Sequence, residues 1–135
     1  MNKKIVGIVC VAIVLLIAFT GLSDSGLDES VISQTIFVDA VYEPENNIVR
    51  IKYVDSSEMT RLVTLEILGM EKTFHKELLQ QSFVETVQIS SMPQYGWATM
   101  PVIFTLDHEE FGKISLKTEI HLSDEMKPRV IYSEI

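Results

Sequence analysis

The stretch "KISLKTEIHL", residues 113–122, alternates without interruption: Ile114, Leu116, Thr118, Ile120 and Leu122 fall on one side, and Lys113, Ser115, Lys117, Glu119 and His121 on the other. Successive side chains of an extended strand point to opposite faces, so this period of two predicts a half-buried β-strand with one dry and one wet face. A slip of one residue would bury two lysines and a glutamate, which fixes the register.

The same pattern recurs on both sides of it. "VIFTLDH" (102–108) turns Val102, Phe104 and Leu106 inward, and Gly112 suits the left-handed position of the loop that follows. "RLVTLEIL" (61–68), "IVRIKYV" (48–54) and "QTIFVDAVY" (34–42) set Val63, Leu65, Ile67, then Val49, Ile51, Tyr53, then Ile36, Val38, Ala40, Tyr42 on their inner faces. Asn46 and Asn47 tolerate the positive φ of a tight hairpin between the first two runs, and "DSSEMT" (55–60) has turn chemistry. "FVETVQIS" (83–90) reads as a strand and "TFHKELL" (73–79) as a short edge strand. "RVIYSEI" (129–135) adds a last edge strand after Pro128.

About seven runs at this spacing, with no long helical pattern between them, predict an all-β fold: an antiparallel sandwich of two sheets. In count and spacing, residues 34–122 resemble the immunoglobulin and fibronectin type III sandwiches. The intersheet cysteines of immunoglobulin domains are missing, because Cys10 is the only cysteine. Packing alone must therefore hold the domain together.

Upstream of the strands the composition changes. "MNKKIVGIVCVAIVLLIAFTGL" places Lys3 and Lys4 before an uncharged run from Ile5 to Leu22 that includes Ile5, Val9, Leu15, Leu16 and Phe19. As a helix, eighteen residues at ~1.5 Å each reach about 27 Å, close to the ~30 Å hydrocarbon core of a bilayer. A cleaved secretory signal has a shorter apolar run, and a good small-x-small cleavage site is lacking here. The expectation is a single-pass signal anchor over residues 1–22, N-terminus cytoplasmic on the side of the lysines, followed by a linker over 23–33 and an extracytoplasmic domain over 34–135. Eleven linker residues span less than about 40 Å, so the domain stays near the membrane surface.

Charge narrows the partners. Without Lys3 and Lys4, 9 of the 11 basic residues remain against 19 acidic ones, so the part after the apolar run carries −10. Such a domain repels phosphate backbones and is not expected to bind nucleic acid.

Candidate sites are few. "SMPQYGWATMP" (91–101) holds the only tryptophan, and Pro93 and Pro101 prevent it from pairing as a central strand, so it reads as a crossover. Trp97 and Tyr95 there either plug an open end of the sandwich, burying ~150–250 Å² per ring, or stand out as partner-binding anchors. Met92, Met100, His108 and His121 form the nearest thioether and imidazole set for copper, though no close Met-x-Met or His-x-His pair unites them. Asp107, His108, Glu109 and Glu110 superficially suggest a divalent-cation site but lack the glycine turn that calcium loops use, and read as a solvated hairpin tip. No H-E-x-x-H, C-x-x-C, G-x-S-x-G or phosphate-cradling glycine motif occurs.

An anchor, a short tether and a sandwich with free β-edges and no catalytic motif point to a non-enzymatic protein-binding or assembly module, needing no cofactor, that docks onto another envelope protein. The alternative is an extracytoplasmic metal-handling protein, taking copper on the Met and His set or a divalent cation on the acids at 107–110. In layout alone the chain is similar to archaeal archaellum stator subunits and to many accessory subunits of membrane complexes.

Overall fold

A computed structural model describes residues 28–70, 73–89 and 92–135. The anchor residues Ile5, Val9, Leu15, Leu16 and Phe19 lie outside them. Among the described residues no helix is long and apolar enough to cross a membrane.

The described chain opens with helix α1 (Glu29–Thr35), in what the Ser- and acid-rich composition suggests is linker. Asp28 caps it, its carboxylate accepting from Val31 N at 3.3 Å, and Glu29 adds an acid to the first turn, where the helix dipole favours it. Ile32 turns inward to 1% exposure, which commits the helix to the core. The β-branched Thr35 and Ile36 then take the chain into extended conformation.

Nine strands follow: β1 (Ile36–Glu43), β2 (Ile48–Asp55), β3 (Thr60–Ile67), β4 (Phe74–Leu78), β5 (Ser82–Gln88), β6 (Val102–His108), β7 (Gly112–Thr118), β8 (His121–Leu122) and β9 (Ile131–Glu134). They form two sheets, four-stranded in the order β5-β2-β1-β8 and five-stranded in the order β4-β3-β6-β7-β9. The pairings are antiparallel except β1 with β8. The protein is a β-sandwich. The β1–β2 hairpin turns on Asn47 at φ 53°, whose side chain accepts from Tyr42 Oη at 3.2 Å, so the turn is held by the strand it ends.

Each strand buries one side. Ile36, Val38, Ala40, Tyr42, Val49, Ile51 and Tyr53 from one sheet meet Val63, Leu65, Ile67, Val102, Phe104, Leu106, Ile114 and Leu116 from the other. Tyr53 stacks between Phe83 and Phe104, with centroids 5.2 and 6.0 Å away. These are the inner faces that the alternation predicts.

One expectation fails at an instructive place. Residues 113–122 do not form a single strand: β7 ends at Thr118, and His121 and Leu122 form β8 in the opposite sheet, parallel to Val41 and Tyr42 of β1. The parity breaks because Ile120 and His121 are both buried, at 1% and 7% exposure. A continuous strand cannot turn two successive side chains to the same interior. The switch leaves β7 to pair with β9, and it divides one of the runs read from the sequence into two strands.

Candidate functional site

Chemistry-bearing side chains gather at the two ends of the sandwich. At one end β2 finishes with Asp55 and β6 with His108, each one step further along the inward-facing series of its strand. The two side chains meet with no exposure, Asp55 Oδ2 lying 3.0 Å from His108 Nε2. Oδ2 also accepts from Thr60 Oγ1 at 2.6 Å and from Met59 N at 3.1 Å, while Oδ1 takes Ser57 N at 2.9 Å and Ser57 Oγ at 2.6 Å. Tyr53 Oη lies 2.7 Å from Thr60 Oγ1, and since that hydroxyl donates to Asp55, the phenol donates to it. Burial pushes the Asp55 carboxyl up, but hydrogen bonds from Ser57 and Thr60, with the neighbouring His108, outweigh it and hold the group below the ordinary carboxylate range. Desolvation raises the Tyr53 phenol, which stays protonated.

Ser, His and Asp within reach of one another invite comparison with a hydrolase triad. The hydrogen bonds make a different object. His108 Nδ1 accepts from the backbone N–H groups of Glu110 and Phe111 at 3.0 and 3.2 Å, so the network assigns the ring proton to Nε2, which donates to Asp55. A general base needs its lone pair aimed at the nucleophile. Here the lone pair faces the main chain, and Ser57 Oγ, 3.2 Å from Nε2, directs its proton to Asp55 instead. The ring is further pinned by stacking on Phe111, with centroids 4.5 Å apart. The arrangement ties β2 of one sheet to β3 and β6 of the other.

The opposite end is closed by the β5–β6 crossover. Gly96, at φ 93°, starts a single 3₁₀ turn (Trp97–Thr99), with Thr99 Oγ1 donating to Gly96 O at 2.7 Å and Met100 N to Trp97 O at 3.0 Å. Trp97 is half-buried and packs on Tyr42, ring centroids 5.0 Å apart and tilted by 54°. Its indole N–H is buried without an acceptor among the described residues. Met100, which follows the turn, is buried to 6% exposure. The crossover is fastened to the sheet by Leu68 N donating to Pro101 O at 3.1 Å, and Gly69, at φ 80°, leaves room for the Thr99 carbonyl. Tyr95, by contrast, is 81% exposed and Met92 51%. The crossover thus divides its two aromatics, Trp97 set against the core and Tyr95 held out in solvent.

The Met and His set is spread across these ends. Six steps of β6 separate Val102, two residues after Met100, from His108, roughly 20 Å at ~3.3 Å per residue. His121 is engaged elsewhere: Nε2 lies 2.7 Å from Asp39 Oδ1 and Nδ1 lies 2.7 Å from Leu122 O, so both ring nitrogens face oxygens rather than a thioether. Of the acids at 107–110, Asp107 and Glu109 flank Arg61 at 3.3 and 3.9 Å. Among the described residues no three His, Cys, Asp or Glu side chains converge as a metal-ligand group.

No family model matches the chain, and neither a curated protein nor a solved structure shows significant similarity to it.

Proposed function

We propose that the protein is a non-enzymatic binding or assembly module, held beside a membrane by its N-terminal apolar segment, that docks onto an envelope protein through the β5–β6 crossover. The observation that carries this reading is the contrast between Tyr95 and Trp97. A tyrosine 81% exposed contributes nothing to the core, yet it sits two residues from an aromatic packed on Tyr42, within a turn closed by its own hydrogen bonds. An aromatic with few rotatable bonds on a rigid base loses little entropy when it binds, which is why such residues dominate protein interfaces. Met92, also exposed on the crossover, adds an adaptable apolar contact.

The strand order supports a finer reading of the fold as an immunoglobulin- or fibronectin-type sandwich. In chain order, strands one, two and five make up one sheet with a late strand added, and three, four, six and seven make up the other, again with a late strand added. In such sandwiches the loops at the open ends carry recognition.

The test is co-purification of the full chain from native membranes. Tyr95→Ala is expected to lose the partner protein while keeping the thermal transition of the unaltered chain. Recovery of the same partner in the same yield would remove the crossover from this account.

A further inference from the structure

The four sheet edges are not equally protected. On one side of the sandwich, β4 carries exposed His75, Lys76 and Glu77, and Lys76 Nζ reaches Glu85 Oε1 of β5 at 2.8 Å, bridging the two edges. Charged side chains on an edge discourage further strand pairing. On the other side β8 is only two residues long. That leaves β9, the outer strand of the five-stranded sheet, which pairs with β7 alone and whose backbone makes no other hydrogen bond among the described residues. Its exposed face begins with Ile131, 58% exposed, continues through the exposed Ser133, and is extended by Ile135, the residue after the strand, 68% exposed.

We infer that β9 is a self-association edge that pairs antiparallel with β9 of a second copy of this chain, with Ser133 on the two-fold axis. Residues paired across an antiparallel ladder share a face, and a two-fold axis perpendicular to the sheet sets residue i opposite a partner whose number makes a constant even sum with its own. Centring the axis on Ser133 puts Ile131 opposite Ile135 of the partner subunit, twice, on the outer face, and Tyr132 opposite Glu134 of the partner subunit on the inner one. The other registers are poorer. Centring on Tyr132 sets each exposed isoleucine against a serine or an arginine. Centring on Ile131 sets Ile135 against Lys127 of the partner subunit and draws in Pro128, which has no N–H to donate. The sequence Ile-Tyr-Ser-Glu-Ile reads apolar, polar, apolar along its outer face in both directions, so it is complementary to itself.

A ladder of the four residues of β9 and the Ile135 that follows them falls short of the ~1,200 Å² that stable complexes bury. The dimer is therefore weak and depends on local concentration, and a trapping measurement suits it. The inference does not depend on the Tyr95 crossover. Starting from full-length protein with Cys10→Ser, Ser133→Cys is treated in membranes with a short bis-maleimide, beside Glu77→Cys on the β4 edge as a control of similar exposure. The expected result is a covalent dimer from Ser133→Cys, with little from Glu77→Cys, and about a tenfold loss of crosslinking when Ile131→Lys is added, because two apolar cross-strand pairs are broken. Crosslinking at position 133 no greater than at position 77, or unchanged by Ile131→Lys, would overturn the inference.

Discussion

His108 and Asp55 stand 3.0 Å apart with neither side chain exposed, the first ending a strand of one sheet and the second a strand of the other. Because the imidazole lone pair is held by two main-chain amides, this pair joins the sheets and has no lone pair free for proton abstraction from Ser57. Removing His108 takes one donor from Asp55, leaves the Glu110 and Phe111 amides without their acceptor and opens a cavity at a fully buried site, together costing about 3–5 kcal/mol. His108→Ala is therefore expected to lower the unfolding free energy measured by urea denaturation by that amount. Ser57→Ala, which removes one of several donors to Asp55, costs about 1 kcal/mol. Equal effects from the two would contradict the network as described.

The same carboxyl makes stability depend on acid. Its pKa in the folded protein is depressed below the ordinary value of 3.8, so the unfolded chain binds the proton more readily. The contribution is fully present above that ordinary value and is lost as pH falls through the folded-state value. Thermal transitions measured from neutral pH down to about pH 2 are expected to show a loss beginning below pH ~4. Asp55→Asn, less stable at neutral pH, is expected to lack that share of the acid loss.

Trp97 and Tyr95 differ in what they contribute to packing. Trp97→Ala removes a half-buried ring from Tyr42 and is expected to cost about 2–3 kcal/mol, less than a fully buried aromatic. Trp97→Phe keeps an aromatic there and deletes an indole N–H that has no acceptor among the described residues, so it is expected to cost less. Tyr95→Ala is expected to stay within about 0.5 kcal/mol of the unaltered protein. Chemical denaturation of the three variants checks the order.

Gly69 fastens the crossover to β3. A Cβ there would collide with the Thr99 carbonyl, and φ of +80° strains any L side chain. Gly69→Ala is expected to destabilise by more than 1 kcal/mol and to shift Trp97 emission to the red as the crossover lifts. A variant with unchanged emission would separate Gly69 from the seating of Trp97.

Much of the fold is legible in the alternation, and so, in hindsight, is the intersheet lock. Val49, Ile51 and Tyr53 point inward, and one more step of two reaches Asp55; Val102, Phe104 and Leu106 lead in the same way to His108. Two inward strand ends that carry an acid and a histidine must find partners, since a buried charge without one is costly. Reading the polar residues at 107–110 as a solvated tip hides this, because composition averages over His108 while parity singles it out. The sheet switch after Thr118 is less legible: residues 113–122 alternate flawlessly, and only the tertiary pairing of His121 with Asp39, 82 positions away in sequence, makes burial of both Ile120 and His121 tolerable. Helix α1 is hidden by a composition that suits linkers, and its single core contact, Ile32, gives no period to detect.

The proposed docking role of Tyr95 is tested most directly by site-specific photocrosslinking at that position. A photoreactive phenylalanine analogue replaces Tyr95 in the full chain in native membranes, with a second substitution at Val84, exposed on β5, as reference. A discrete adduct with one protein from position 95, absent from position 84, is the result predicted. No adduct from position 95, or the same diffuse products from both positions, would contradict it.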